Sequence, residues 1–157
     1  MTAGEFVDVL LLRAEQENRI SPHMPLPKSL TYALADYDPA YMLRRKNAAR
    51  LAHIFLRDVL NEADEDSMER LKKAEALRDL YDCRICVQDI MQLYAKGIIS
   101  AENLLAEEGG SLLIFGGNEE FHREEAEEWA KRLLFQKARS DGFVLKVSAQ
   151  QKTEKKI

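Results

Sequence analysis

One continuous stretch, residues 77–99 with the sequence LRDLYDCRICVQDIMQLYAKGII, constrains the fold more than any other part of the chain. Its apolar residues Ile90, Leu93 and Ile98 recur at spacings that place them on one face of a helix. Gly97 suits the end of that helix, because glycine adopts a left-handed backbone conformation at little steric cost. The stretch therefore predicts an amphipathic helix with a defined stop.

A second strong helix is predicted over residues 43–61, and we expect it to pack against the first. Its apolar side chains recur at helical spacing, while the charged side chains lie mostly on the other face. The apolar set is Ala48, Leu51, Ala52, Phe55, Leu56 and Val59. Near the N-terminus, Thr2 and Glu5 have the spacing of a capping box and predict the start of another helix.

The remaining pattern is also mainly helical. Further helices are predicted over residues 29–36, 64–80, 84–96, 100–108 and 122–138. Residues 111–115 are either a short strand or buried extended chain, and residues 143–147 are predicted to form a terminal strand. The expected fold class is therefore all-α with one or two very short strands. Residues 1–147 are expected to form a single domain, followed by a disordered tail at 148–157.

Three segments of the chain share motifs with one known family. Residues 77–99 open with an apolar-x-Asp unit at Leu77 and Asp79 and close with Gly-Ile-Ile. Residues 37–56 and 115–134 each begin with an aromatic residue and continue through an apolar-x-Arg unit into an alanine-containing helix. These segments resemble the first and second halves of S-layer homology repeats, and residues near the N-terminus resemble them more faintly. The resemblance implies repeated helix–loop–helix units.

The resemblance also implies a function. In that family the repeats are non-catalytic modules that anchor proteins to secondary cell-wall polymers, and an arginine helps to hold an anionic sugar. Ligand contact is therefore expected at Arg123 and Glu125 in one copy and at Arg45 in the other, because guanidinium groups bind carboxylates bidentately. Asp79 completes the expected site as a neighbouring acid. The alternative is that these residues only maintain the fold. Ile85 stands where the family has tryptophan, so we expect weaker binding than is usual there.

A second function is compatible with the same scaffold: a cytosolic protein–protein interaction or immunity-type inhibitor protein. The residues after Met1 lack the basic segment and uninterrupted apolar run of a secretory signal. If Met1 is the native start, the protein is expected in the cytoplasm; if a signal peptide was removed, it is expected at the cell surface. The acidic residues around His122 are expected either to face a basic protein partner or only to satisfy the helix dipole.

Composition excludes other classes. The chain has 23 basic and 27 acidic residues and a net charge of −4, which argues against a nucleic-acid surface. No run approaches the roughly 18 apolar residues of a transmembrane segment. No cofactor is expected.

Cys83-x-x-Cys86 is the one motif that points toward chemistry. It fits a redox pair, half of a zinc site, or two helix residues in a packing role. A thioredoxin-like pair would follow a strand in a βαβ unit, which this pattern lacks. A zinc site needs two more ligands, and His23, His53 and His122 are scattered. We therefore expect free thiols with a packing role, and no metal. An enzyme using either thiol is the least favoured function, because no base accompanies them.

Overall fold

The structure is a computed structural model that describes residues 1–105, 111–140 and 144–147. Within these residues the α-helices are α1 (Ala3–Gln16), α2 (Lys28–Ala35), α3 (Arg45–Ile54), α4 (Met68–Ala74), α5 (Val87–Ala95) and α6 (Arg123–Leu134). A π-helical turn, Phe55–Val59, extends α3, and 3-10 turns lie at Leu80–Asp82, Arg84–Cys86 and Gln136–Ala138. The strands are β1 (Ala101–Leu105), β2 (Ser111–Ile114) and β3 (Val144–Val147). The prediction of a mainly helical fold with very short strands is confirmed.

Helix α1 begins with the predicted capping box. The Glu5 amide donates to the Thr2 hydroxyl at 3.2 Å, and the Thr2 amide donates to the Glu5 carboxylate at 3.0 Å. These hydrogen bonds from Thr2 hold the pKa of Glu5 below its usual value. The box fixes where α1 starts, and its inner face then buries Phe6, Leu10 and Ala14.

The predicted helix over residues 43–61 is confirmed as α3 and its π-helical extension. The apolar positions named from the sequence are all buried there. Helix α5 buries the predicted face of residues 77–99, including Ile90 and Leu93. Helix α3 packs against α5, as predicted, while α1 packs against α6. Each of these two helix pairs therefore joins a helix from the first half of the chain to a helix from the second half.

Aromatic side chains fill the space between α1 and α6. The ring centroids of Phe6 and Phe121 lie 4.7 Å apart, and Phe121 lies the same distance from Trp129. Phe115 stacks on the other side of Trp129 at 6.4 Å. All four side chains are buried, so this cluster anchors both α6 and the segment that precedes it.

A three-stranded sheet lies beside the helices in the order β2-β1-β3. Strand β1 is antiparallel to β2, with Glu102 opposite Ile114, and parallel to β3. The predicted helix over residues 100–108 is therefore wrong at 100–105, and residues 106–108 lie outside the described residues. The hydrogen bonds that β1 makes to two neighbouring strands outweigh the weak local preference of the sequence AENLL for a helix. Of the two alternatives for residues 111–115, the strand is observed, at Ser111–Ile114, and the predicted terminal strand is confirmed at Val144–Val147.

Helix α4 is shorter than the helix predicted over residues 64–80. The Gln92 side chain accepts a hydrogen bond from the Glu65 amide at 2.7 Å and donates to the Glu65 carbonyl at 3.1 Å. This pairing holds the chain extended before Ser67, whose side chain caps α4. Because of this contact with α5, helix α4 begins at a later residue than predicted. The tail predicted to be disordered, residues 148–157, lies outside the described residues.

Gly97 ends α5 as predicted, in a left-handed conformation with φ of +75°. The Gly97 amide donates to the Tyr94 carbonyl at 3.0 Å, and the Ile98 amide donates to the Leu93 carbonyl at 2.9 Å. The Gly97 carbonyl in turn accepts a hydrogen bond from the Ser140 amide at 3.2 Å. A Cβ atom at Gly97 would lie 1.5 Å from the Ser140 carbonyl oxygen, so only glycine fits.

We therefore expect Gly97→Ala to lower the free energy of unfolding by about 2–4 kcal/mol, because it combines backbone strain with a clash against main chain. The matched control is Gly4→Ala, since Gly4 lies in α1 and a Cβ atom there meets nothing within 4 Å. That substitution should stabilise the protein by about 0.5–1 kcal/mol. Urea unfolding followed by circular dichroism measures both, and equal effects of the two substitutions would contradict the role given to Gly97.

Candidate binding site

The two segments that resemble second halves of one repeat lie side by side. Arg44 immediately precedes α3 and His122 immediately precedes α6, and both have an extended backbone. The Phe121 amide donates to the Leu43 carbonyl at 2.8 Å, and the Arg45 amide donates to the Glu119 carbonyl at 2.9 Å. The two hydrogen-bonded segments of chain run antiparallel, so the first turns of α3 and α6 lie next to each other.

Arg45 occupies the centre of this region, with only 2% of its side chain exposed. Its Nη1 donates to the Phe115 carbonyl, and its Nη2 donates to the Ser100 carbonyl at 3.2 Å. Its Nε lies 3.0 Å from a Glu125 carboxylate oxygen, although that N–H is not aimed to form a hydrogen bond. The guanidinium also lies over the Phe115 ring, 4.4 Å from its centroid. Arg45 therefore joins α3, α6, β1 and the end of β2.

Asp79 binds the same segment of chain, directly after β2. Its carboxylate accepts hydrogen bonds from the Phe115 amide at 2.9 Å and the Gly116 amide at 2.8 Å. Gly116 has a φ of +77°, so the carboxylate stabilises a turn that begins directly after β2. Three of the four predicted site residues, Arg45, Glu125 and Asp79, thus meet around Phe115 and Gly116.

Arg123, the fourth predicted residue, lies apart from this group. Its side chain is 61% exposed, and the nearest carboxylate oxygen belongs to Glu5 at 3.9 Å. It stands at the first position of α6, just as Arg45 stands at the first position of α3. The two matching arginines therefore have opposite environments: one is buried in the fold and the other faces solvent.

A groove of about 700 Å³ opens along the first turns of α6. It is lined by Ser100, Glu119, Glu120, His122, Glu124, Glu125, Glu128, Trp129 and Arg132. Five of these nine residues are glutamates. We call this feature the acidic groove.

Two buried arginines neutralise part of the acidic groove. Arg132 pairs with Glu128 at 2.7 Å and donates to the Ile98 carbonyl at 3.1 Å, and Arg45 is paired with Glu125. Within the described residues, Glu120 and Glu124 have no cationic partner, and both are exposed. The acidic groove therefore has a fixed floor and a negatively charged rim.

His53 forms a second cluster that sequence reasoning missed. It lies on α3 with 4% of its side chain exposed; its Nδ1 is 2.7 Å from Asp89 on α5, and its Nε2 is 2.7 Å from Asp64. Burial alone would lower the pKa of His53, but the hydrogen bonds and charges of the two carboxylates raise it above 6.5. The imidazolium therefore ties α3 to α5 and to the segment before α4. Spacing along the chain gives no sign of this cluster, because its members come from three elements.

Glu62 forms a third cluster. Its carboxylate accepts a hydrogen bond from Lys96 at 2.7 Å and two from Arg139, at 2.9 and 2.8 Å. Burial tends to raise the pKa of Glu62, but these two cations lower it below its usual value. The carboxylate links the chain after α3, the end of α5 and the chain after α6. Its geometry is that of a structural ion-pair network.

Cys83 and Cys86 form a disulfide, so the expectation of free thiols is corrected. Cys86 is fully buried and Cys83 is partly exposed. Cys83 directly precedes the 3-10 turn Arg84–Cys86 and Cys86 ends it, so the pair does not lie inside one regular helix, and their Cα atoms are 5.3 Å apart.

Three further observations bear on the class of protein. In the part of the chain that the structure describes, no three His, Cys, Asp or Glu side chains cluster in a way that would hold a metal ion. No described helix is both long and apolar enough to cross a membrane. No protein-family model matches the chain, and neither a curated protein nor a solved structure is significantly similar to it.

The contrast between the two matching arginines is testable. Arg45→Met should lower the free energy of unfolding by about 2–4 kcal/mol, because it leaves Glu125 and two carbonyl groups without a partner. Arg123→Met is the matched control and should change it by less than about 0.5 kcal/mol, since exposed ion pairs contribute little. Urea unfolding of both variants at pH 7 measures the difference. Similar losses would show that Arg45 does not organise this region.

The His53 cluster predicts a pH dependence of stability. Because the folded state raises the pKa of His53, its contribution is fully present below about pH 6.5, the unfolded value, and is lost as pH rises through the folded value. His53→Gln should therefore cost about 2–3 kcal/mol near pH 6 and progressively less at alkaline pH. Unfolding free energies between pH 6 and 9 measure this trend, with exposed His122→Gln as the control. A penalty that stays constant with pH would contradict it.

Proposed function

We propose that the protein is a non-catalytic binding module and that its ligand occupies the acidic groove. The observation that carries this proposal is the row of glutamates just before and on the first turns of α6, of which Glu120 and Glu124 have no cationic partner among the described residues. Resemblance to S-layer homology repeats supports a binding role, because ligands of that family lie in grooves between repeats. The acidic groove lies where the two matching segments meet.

The rigid floor of the acidic groove supports the proposal that the ligand binds there. Trp129 at the base of the acidic groove is buried against Phe115 and Phe121, and Arg132 is held by Glu128 and the Ile98 carbonyl. A groove whose floor is fixed before binding loses little conformational entropy when a ligand enters. Only the exposed carboxylates at the rim need to adjust.

Charge selects the class of ligand. The rim carboxylates repel an anionic polymer and attract cations, and carboxylates bind arginine side chains through paired, charge-assisted hydrogen bonds. A lysine- or arginine-containing segment of a protein partner therefore fits the acidic groove better than an anionic glycan does. This favours a protein-interaction module on a repeat-like scaffold.

An anionic cell-wall glycan is the second candidate, and the exposure of Arg123 favours it. This arginine matches the sugar-binding residue of the family and is 61% exposed, with only a 3.9 Å contact to Glu5. A guanidinium in that state is available to a carboxylate on a sugar. Since Arg123 does not line the acidic groove, the two candidates use different surfaces and are separable by substitution.

A labelled hexa-arginine peptide is the probe for the first candidate, with fluorescence anisotropy as the measurement. The double variant Glu120→Gln/Glu124→Gln should weaken binding about threefold to tenfold, on the scale of exposed charge pairs. The control Glu69→Gln/Glu75→Gln removes the same charge from exposed positions at and after α4 and should leave affinity nearly unchanged. Equal weakening by both variants would reduce the effect to net charge and contradict the proposed site.

Isolated bacterial cell walls are the probe for the second candidate. If a glycan is the ligand, the intact protein is retained on walls and Arg123→Ala reduces retention by about tenfold, the usual scale for a charge-assisted hydrogen bond. The Glu120→Gln/Glu124→Gln variant should then be retained as well as the wild type. If Arg123→Ala is retained as well as the wild type, and peptide binding depends on Glu120 and Glu124, the protein partner is favoured.

A further inference from the structure

We propose that the Cys83–Cys86 disulfide is a site of thiol–disulfide exchange, with the sulfur of Cys83 as the atom attacked. The partner is a dithiol of the Cys-x-x-Cys type. This inference is independent of the acidic groove and of any ligand bound there. It rests on the unequal access to the two sulfurs, on the position of Cys86 and on the apolar surface around the pair.

Access to the disulfide is one-sided. Cys86 is fully buried, whereas Cys83 is partly exposed and lines an open cavity of about 280 Å³. The cavity is also lined by charged groups on other elements, among them Lys46 on α3 and Asp82 in the preceding 3-10 turn. An incoming thiolate can therefore reach the sulfur of Cys83 but not that of Cys86.

The position of Cys86 suits a leaving group. Cys86 is the residue that directly precedes α5, a helix of nine residues. The amide groups at a helix start favour negative charge and so offset part of the cost of forming a thiolate at this buried position. A better-stabilised thiolate leaves faster in exchange. The buried cysteine is thus the one that departs, and the exposed cysteine is the one that is attacked.

Two exposed apolar side chains flank Cys83 among exposed charged ones. Tyr81 is 65% exposed and Ile85 is 78% exposed, and they stand on either side of Cys83 in the chain. Neither side chain belongs to the core. Single exposed apolar side chains are common on protein surfaces, but two of them beside a reachable disulfide fit docking of a dithiol protein.

The exchange balances in two steps. A partner thiolate attacks the sulfur of Cys83, forming a mixed disulfide and breaking the bond to Cys86, which leaves as a thiolate and takes up a proton. The second partner thiol then loses its proton and attacks the partner's sulfur in the mixed disulfide, releasing Cys83 as a thiolate that is protonated. Two partner thiols are oxidised to a disulfide while the protein disulfide is reduced to two thiols.

Single-cysteine variants test which sulfur exchanges. Cys86→Ala leaves only Cys83, and Cys83→Ala leaves only Cys86; alanine keeps the buried site apolar. Folded variants are incubated with glutathione disulfide, quenched with acid and analysed by mass spectrometry. Cys83 should acquire glutathione at least about tenfold faster than Cys86, because Cys86 reacts only when the structure opens. Equal rates, with both variants folded by circular dichroism, would overturn the assignment.

The wild-type protein tests the docking surface. A thioredoxin and dithiothreitol are compared as reductants of the native disulfide, and Ile85→Ser is compared with the wild type. Reduction by the thioredoxin should slow at least about threefold in Ile85→Ser, on the scale of losing an exposed apolar contact, while reduction by dithiothreitol stays unchanged. The proposal would be overturned if Ile85→Ser changed the rate of reduction equally with both reductants. It would also be overturned if the disulfide were reduced only on unfolding, or if the oxidised protein contained unpaired thiols.

Discussion

The buried guanidinium of Arg45 is the interaction on which the arrangement of the two halves depends. It reaches the carbonyl groups of Phe115 and Ser100 and pairs with Glu125. A buried charge is costly unless it is paired and hydrogen-bonded, so the carbonyl groups and the carboxylate around the guanidinium favour one arrangement of the surrounding chain. Asp79 accepts hydrogen bonds from the Phe115 and Gly116 amides, so Arg45 and Asp79 both hold the chain directly after β2.

That geometry gives the two matching helix starts different tasks. At the first position of α3 the arginine is enclosed and maintains the fold, and at the first position of α6 Arg123 faces solvent. The Glu125 carboxylate is held by buried Arg45, whereas Glu120 and Glu124 of the acidic groove have no cationic partner among the described residues. The two matching segments therefore provide internal structure at Arg45 and exposed surface at Arg123.

Sequence periodicity was sufficient for the parts of the fold that local pattern decides. The face of α5, the apolar set of α3, the capping box and the stop at Gly97 follow from spacing and backbone preference. The strand at Ala101–Leu105 and the late start of α4 depend on partners elsewhere, namely β2 and Gln92, so local pattern predicted helix there. For the site, the assignment of ligand contact to Arg123, Glu125, Arg45 and Asp79 stays a prediction, and the sequence gave no sign that Arg45 is enclosed.

The pairing of α1 with α6 has a consequence for synthesis of the protein. Contacts between these helices span most of the chain; the ion pair of Arg13 with Glu127 joins residues 114 positions apart. During translation the apolar face of α1, with Phe6 and Leu10, stays without its partner until α6 has left the ribosome. Closure of so long a loop is slow, and the exposed face is a target for chaperones in that interval. Helix α1 is thus made long before it is covered.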